Sequence, residues 1–113
     1  MKQGEIWDIK LGNFQSRDRM EKCPVIIIND DTIGIIPSRV IAPITEWQDK
    51  FEDAIWLIRI MPNPENNLSK ISAVDVFQLY TIPTTRFIKK IGVLTHRELE
   101  KIKNAIKAII SAE

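Results

Sequence analysis

Residues 23–30 read Cys23-Pro24-Val25-Ile26-Ile27-Ile28-Asn29-Asp30, and their reading decides the class of the fold. Four β-branched residues in a row favour extended chain over helix. The run is too short for a helix and ends in Asn-Asp turn formers, so it predicts a strand buried on both faces, with Pro24 tolerated at its opening. Working outward, Ile6 to Leu11 places Trp7, Ile9 and Leu11 on one face and predicts a half-buried strand. Gly12 to Cys23 mixes Gly, Asn, Gln and Ser with charges of both signs and reads as a long exposed loop, the kind of segment that often carries function. Arg39 to Thr45 is the next strand, and its internal Pro43, which lacks the N–H a ladder needs, predicts an edge or bulged strand. Ala54 to Met61, Ile71 to Tyr80 and Phe87 to Leu94 complete a set of roughly six strands.

The hydrophobic period changes near the end of the chain. Thr95-His96-Arg97-Glu98 fits a capping box, in which two side chains satisfy backbone N–H groups at a helix start. Leu99, Ile102, Ile106, Ile109 and Ile110 then recur at helical spacing, predicting one stripe that packs on the sheet. These elements describe a single domain over residues 1–113, mainly β with a C-terminal helix, a compact antiparallel barrel or sandwich closed by that helix.

Composition narrows the function. The 113 residues are 44% hydrophobic and 27% charged, as in a soluble globular protein. With 16 Lys and Arg against 15 Asp and Glu the net charge is only +1, so nucleic acid would have to be held by a local cluster of cations rather than a broad basic surface. One Cys and one His are too few for a structural zinc site or an internal disulfide. No segment reads as a signal peptide or membrane span, so the expected location is the cytoplasm. The four glycines are scattered and form no phosphate loop.

Few residues carry chemistry on their own. His96 falls inside the capping box, which already explains it, and Cys23 reads as a small packed side chain. Arg17, Arg19 and Lys22 gather three cations in one loop suited to phosphates, although Asp18 and Glu21 interleave with them and on charge alone a solvated loop is the simpler reading. Ile44-Thr45-Glu46-Trp47 sets a hydroxyl, a carboxylate and an aromatic ring at the end of a Pro-containing strand.

Taken in order, Gly4-Glu5-Ile6-Trp7, Pro24 to Asp30, Val40-Ile41-Ala42-Pro43-Ile44-Thr45, Gln78, Thr81, Arg86, Lys89-Lys90-Ile91-Gly92 and the closing helix resemble the MazF/PemK (Kid) family of bacterial toxins over nearly the whole chain. The resemblance implies a small SH3-like antiparallel barrel of the MazF/PemK/CcdB kind, usually a homodimer, neutralised by a cognate antitoxin. It implies cleavage of single-stranded RNA without metal or other cofactor, through attack of the 2′-hydroxyl to leave a 2′,3′-cyclic phosphate. Thr45 matches the family's strand-ending Thr, whose hydroxyl can bond a phosphoryl oxygen, and Gln78 matches a position near the substrate groove.

The sequence departs from the family pattern at three positions. Cys23 stands where the family keeps an Arg, Phe77 where many members carry an acidic residue, and Tyr80 where many carry Arg. Lys22, Arg19 or Arg17 then supply the cation from the loop, and Asp75, two residues before Phe77, projects to the same strand face. The assignment that follows gives Thr45 and Lys22 catalytic roles and Arg17, Arg19, Gln78 and Arg86 roles in RNA binding. Tyr80 and Trp47 are candidates for stacking on unpaired bases or for core packing. Two other readings stay open: a MazF-like protein with impaired chemistry that binds antitoxin or nucleic acid, and a gyrase-directed toxin.

Overall fold

The computed structural model describes residues 1–10 and 22–111. Seven strands form one antiparallel sheet: β1 (Glu5–Lys10), β2 (Lys22–Ile27), β3 (Ser38–Glu46), β4 (Leu57–Ile60), β5 (Ser72–Asp75), β6 (Tyr80–Pro83) and β7 (Phe87–Val93). The helix α1 (His96–Ile109) follows. The main path runs β4-β5-β3-β2-β1-β7, with β6 paired to β3, and the sheet is barrel-like without closing.

The central strands are covered on both sides, as their unbroken apolar runs predict. One cluster holds Ile6, Ile26, Ala42, Ile44, Ile60, Val74, Val76 and Leu94 against Ile102 and Ala105 of the helix. The other holds Ile9, Val25, Ile27 and Ile41, flanked by Trp7, Cys23, Ile82 and Phe87. Trp7 and Ile9 thus share a face as expected, while Ile6 serves the opposite core. The Thr95–Glu98 capping box is formed in both directions. Ala105, overlooked because of its size, completes the helix stripe, and Ile110 lies off it, largely exposed.

Several boundaries differ from the sequence reading. Lys22 and Cys23 belong to β2 rather than to the preceding loop, and Pro24 lies inside the strand. Ile28 sends its N–H to Val40 of β3, so by alternation Ile26 and Pro24 face the same edge. The β2–β3 ladder starts at Val25, so the donor that Pro24 lacks falls beyond it. Ile71 to Tyr80 is not one strand: β5 stops at Asp75, whose carboxylate accepts from the Phe77 N–H (3.0 Å) and so forms a local turn before β6.

Pro43 is the larger correction. β3 is no edge strand, because it pairs with β2 along one side and with both β6 and β5 along the other. The second side is paired with β6 from Ser38 to Ile41 and with β5 from Ile44 to Glu46. Val40 carries its N–H toward Asn29 and its C=O toward Ile28, both at the β2 side, so alternation turns Pro43 to the other side. The missing donor therefore lies in the two-residue gap where β3 changes partner.

The loop after β4 bridges toward β7. Asn66, fully buried, accepts from the amides of Asn63 and Leu68 (both 3.0 Å) and donates to the Met61 carbonyl (2.9 Å). Asn67 donates to the Ile91 carbonyl at 2.8 Å, and the Val93 N–H reaches Glu65 at 3.1 Å. Gly92 lies flat against this loop: a Cβ there would stand 2.7 Å from the Asn66 backbone and closer still to the Glu65 carbonyl. On β1, Glu5 accepts from the Trp7 indole at 2.9 Å and pairs with Lys90 of β7 at 3.2 Å. Burial raises its pKa, but the bonds from Trp7, the Lys2 amide and Lys90 together outweigh it and hold the carboxyl below its ordinary 4.5.

Two outcomes follow for stability. Gly92→Ala forces backbone against backbone and should lower the unfolding free energy by about 1–3 kcal/mol, read as a reduced urea midpoint. Because the folded Glu5 pKa is depressed, its contribution is present above pH 4.5 and fades as pH falls through the lower folded value. Glu5→Gln should therefore cost stability in thermal melts at pH 7 and progressively less as the pH drops below 4.5.

Candidate active site

The alternation of the strands decides which candidate residues meet. Ile41 belongs to the second cluster, so Pro43 and Thr45 point to that same side of β3. Continuing the Val25–Pro43 register by two pairs sets Cys23 alongside Thr45, past the end of the ladder. Thr45 is exposed and sits opposite Ala73 of β5. Ala73 in turn sits opposite Arg59 of β4, which brings Thr45, Ala73 and Arg59 into one row across three strands.

Aromatic rings border the row. Trp47, two residues past Thr45, has the Arg59 guanidinium 5.5 Å from its ring centroid and packs edge-on against Phe51 at 5.6 Å. Its N–H bonds Ile71 at 2.9 Å, so the strand direction continues through it. Trp47 thus forms a plate beneath a cation, an arrangement stabilised by the ring quadrupole.

A chain of polar groups borders the other side. The connection from β5 to β6 spans the gap beside Ala42 and Pro43, since Ile44 pairs with Val74 and Ile41 with Tyr80. Within it, Gln78 donates to Asp75 at 2.8 Å and accepts from the Tyr80 hydroxyl at 3.3 Å. The Asp75 carboxylate thereby fixes the turn and orients Gln78, which is exposed. Phe77 is exposed as well.

The other sequence candidates are distributed differently. Lys22 is exposed at the start of β2, opposite Lys10, and alternation directs it to the other side of the strand from Cys23 and Thr45. Arg86 ends the short turn after β6, beyond the Pro83–Ser38 pair, and precedes Phe87, which sits opposite Ile9 of β1. Arg17 and Arg19 lie outside the described residues. Arg59 was missed in the sequence, where it is a single charge within Ile55-Trp56-Leu57-Ile58-Arg59-Ile60. The signal was present: a charged residue at an alternating position of an apolar strand marks the face that is not core.

A row of hydroxyl, methyl and guanidinium on one sheet face, between an aromatic plate and an oriented amide, suits an anion flanked by planar groups. A family model described as PemK-like, MazF-like toxin of type II toxin–antitoxin system matches residues 2–110. The chain belongs to this family. Solved structures with the same fold support the assignment of architecture. An endoribonuclease in complex with its cognate antitoxin from a Mycobacterial species is 14% identical, with a TM-score of 0.77 over 100% of this chain and 97% of that one. The Mycobacterium tuberculosis toxin MazF-mt6 is 19% identical, with a TM-score of 0.76 over 96% of this chain and 98% of that one. A MazE–MazF complex from Deinococcus radiodurans is 8% identical, with a TM-score of 0.78 over 100% and 97%. No curated protein matches the chain. Among the described residues of this MazF/PemK-family chain, no helix is long and apolar enough to cross a membrane.

Proposed function

We propose that this MazF/PemK-family toxin is an endoribonuclease that cuts single-stranded RNA without a metal ion. In the proposed reaction the 2′-oxygen forms a bond to phosphorus while the bond to the 5′-oxygen breaks. One proton leaves the 2′-hydroxyl, one reaches the departing 5′-oxygen, and the upstream product ends in a 2′,3′-cyclic phosphate. Charge develops on the phosphoryl oxygens, so the site must present fixed donors to them. The observation that carries this reading is the exposed Thr45 hydroxyl, set on a central strand opposite Ala73, two residues along β5 from the Asp75 carboxylate that orients Gln78.

Thr45 donates to a phosphoryl oxygen. Gln78, held by Asp75, contacts a base or sugar next to the scissile bond. Lys22, at the start of β2, attracts the RNA backbone, a role also proposed for Arg17 and Arg19, and Arg86 binds flanking phosphates. The cytoplasm, where RNA and the partner meet, is the proposed compartment.

A cognate antitoxin that restrains this activity fits both the family and the complexes formed by two of its structural neighbours. The toxin acts as a homodimer. The apolar side chains Ile33, Ile35 and Ile36, exposed together between β2 and β3, are the kind of surface a second copy covers.

Incubation of the pure protein with a long single-stranded RNA in EDTA should give discrete cuts ending in cyclic phosphate. Thr45→Ala should slow them about 10²–10³-fold. Binding with no cuts, even at stoichiometric protein, would leave a binding protein in place of a nuclease. Sedimentation at micromolar concentration should show a dimer, and a monomer there would remove the dimer from the account.

A further inference from the structure

We propose that Arg59 is the cation that holds the reacting phosphate, acting with Thr45 across the methyl group of Ala73. This assignment rests on the ribonuclease reading and adds a residue to its site.

Cross-strand pairing sets Arg59 against Ala73 and Ala73 against Thr45, so all three side chains rise from one face. The Arg59 and Thr45 backbones lie two strand spacings apart, about 10 Å. Ala73, itself buried, contributes only a methyl group to the row, too short a side chain to reach between the guanidinium and the hydroxyl. In the proposed complex a phosphoryl group bridges the two side chains, taking the guanidinium fork on two oxygens and the Thr45 hydroxyl on a third.

The charge of Arg59 is available. Among the described residues no carboxylate pairs with it, whereas Lys70 is paired with Glu46 (3.6 Å), Lys90 with Glu5 (3.2 Å) and Lys103 with Glu100 (3.6 Å). Its contact is with Trp47, 5.5 Å from the ring centroid, which leaves the N–H edges open while limiting where the plane can go. Lys22, by contrast, faces away from the row. The guanidinium that family comparison seeks on β2, where Cys23 stands, is thus offered from β4.

The test compares wild type, Arg59→Gln and Arg59→Lys in cleavage of a long single-stranded RNA in EDTA. Binding of a mixed-sequence 2′-O-methyl RNA, which cannot undergo the attack, is followed by anisotropy over a salt series. Arg59→Gln should slow cleavage about 100-fold and flatten the log–log salt slope by about 0.7, the loss of one phosphate contact on a single strand. Arg59→Lys keeps the point charge and the stem, so it should keep the salt slope while still cutting slowly for want of the fork. Thermal midpoints of the variants report whether the fold is retained, and the lysine variant carries the test if the glutamine variant unfolds. If wild type cleaves and both variants cleave and bind equally well, Arg59 has no such role. If wild type neither binds nor cleaves RNA, the ribonuclease reading itself falls.

Discussion

Strand β3 has one side that cannot be paired continuously, because Pro43 has no N–H to give. The structure meets this constraint by giving that side two partners, β6 up to Ile41 and β5 from Ile44 onward, with Pro43 in the gap. Much of the functional face follows from the change of partner. The chain that joins β5 to β6 must lie beside the gap, which brings Gln78 and Tyr80 close to it. Thr45, two residues beyond Pro43, then falls on the β5 side, in line with Ala73 and Arg59. A side chain placed this way is held by the β3–β5 ladder and not by a loop, as preorganised electrostatics require.

The near balance of positive and negative residues limits what kind of nucleic-acid partner the surface can take. Lys70, Lys90 and Lys103 are each paired with a carboxylate, and a site for a few unpaired nucleotides would not need a broad field. What matters is local: among the described residues the Arg59 guanidinium meets no carboxylate, and it lies over the Trp47 ring in the row that carries the Thr45 hydroxyl. Stacking on such rings is tolerant of sequence and needs no charge. Loss of a cation at Cys23 therefore does not by itself leave the site without one.

The sequence was most legible where one local rule acts alone. The Thr95–Glu98 capping box and the Val25–Ile28 run each specify their element without help from the rest of the chain. The reading failed where tertiary pairing decides. Pro43 suggested an edge because the rule for proline in sheets assumes one partner per side. Asp75 was read through as part of a strand because its turn depends on a side-chain bond to the Phe77 amide. Arg59 was overlooked because its neighbours Ile58 and Ile60 draw attention to the core, and its meeting with Thr45 spans residues far apart in sequence. Lys22 was grouped with Arg17 and Arg19 by proximity along the chain, whereas the strand it begins sends it to another face than Thr45.

The most direct measurement is amide and indole chemical-shift mapping of the isotope-labelled protein with a short mixed-sequence 2′-O-methyl RNA. The account predicts saturable shifts centred on Thr45, Ala73, Arg59 and the Trp47 indole N–H, fading toward helix α1. Shifts centred on the helix or on the Asp31–Pro37 turn, with the Thr45 row unmoved, would contradict it.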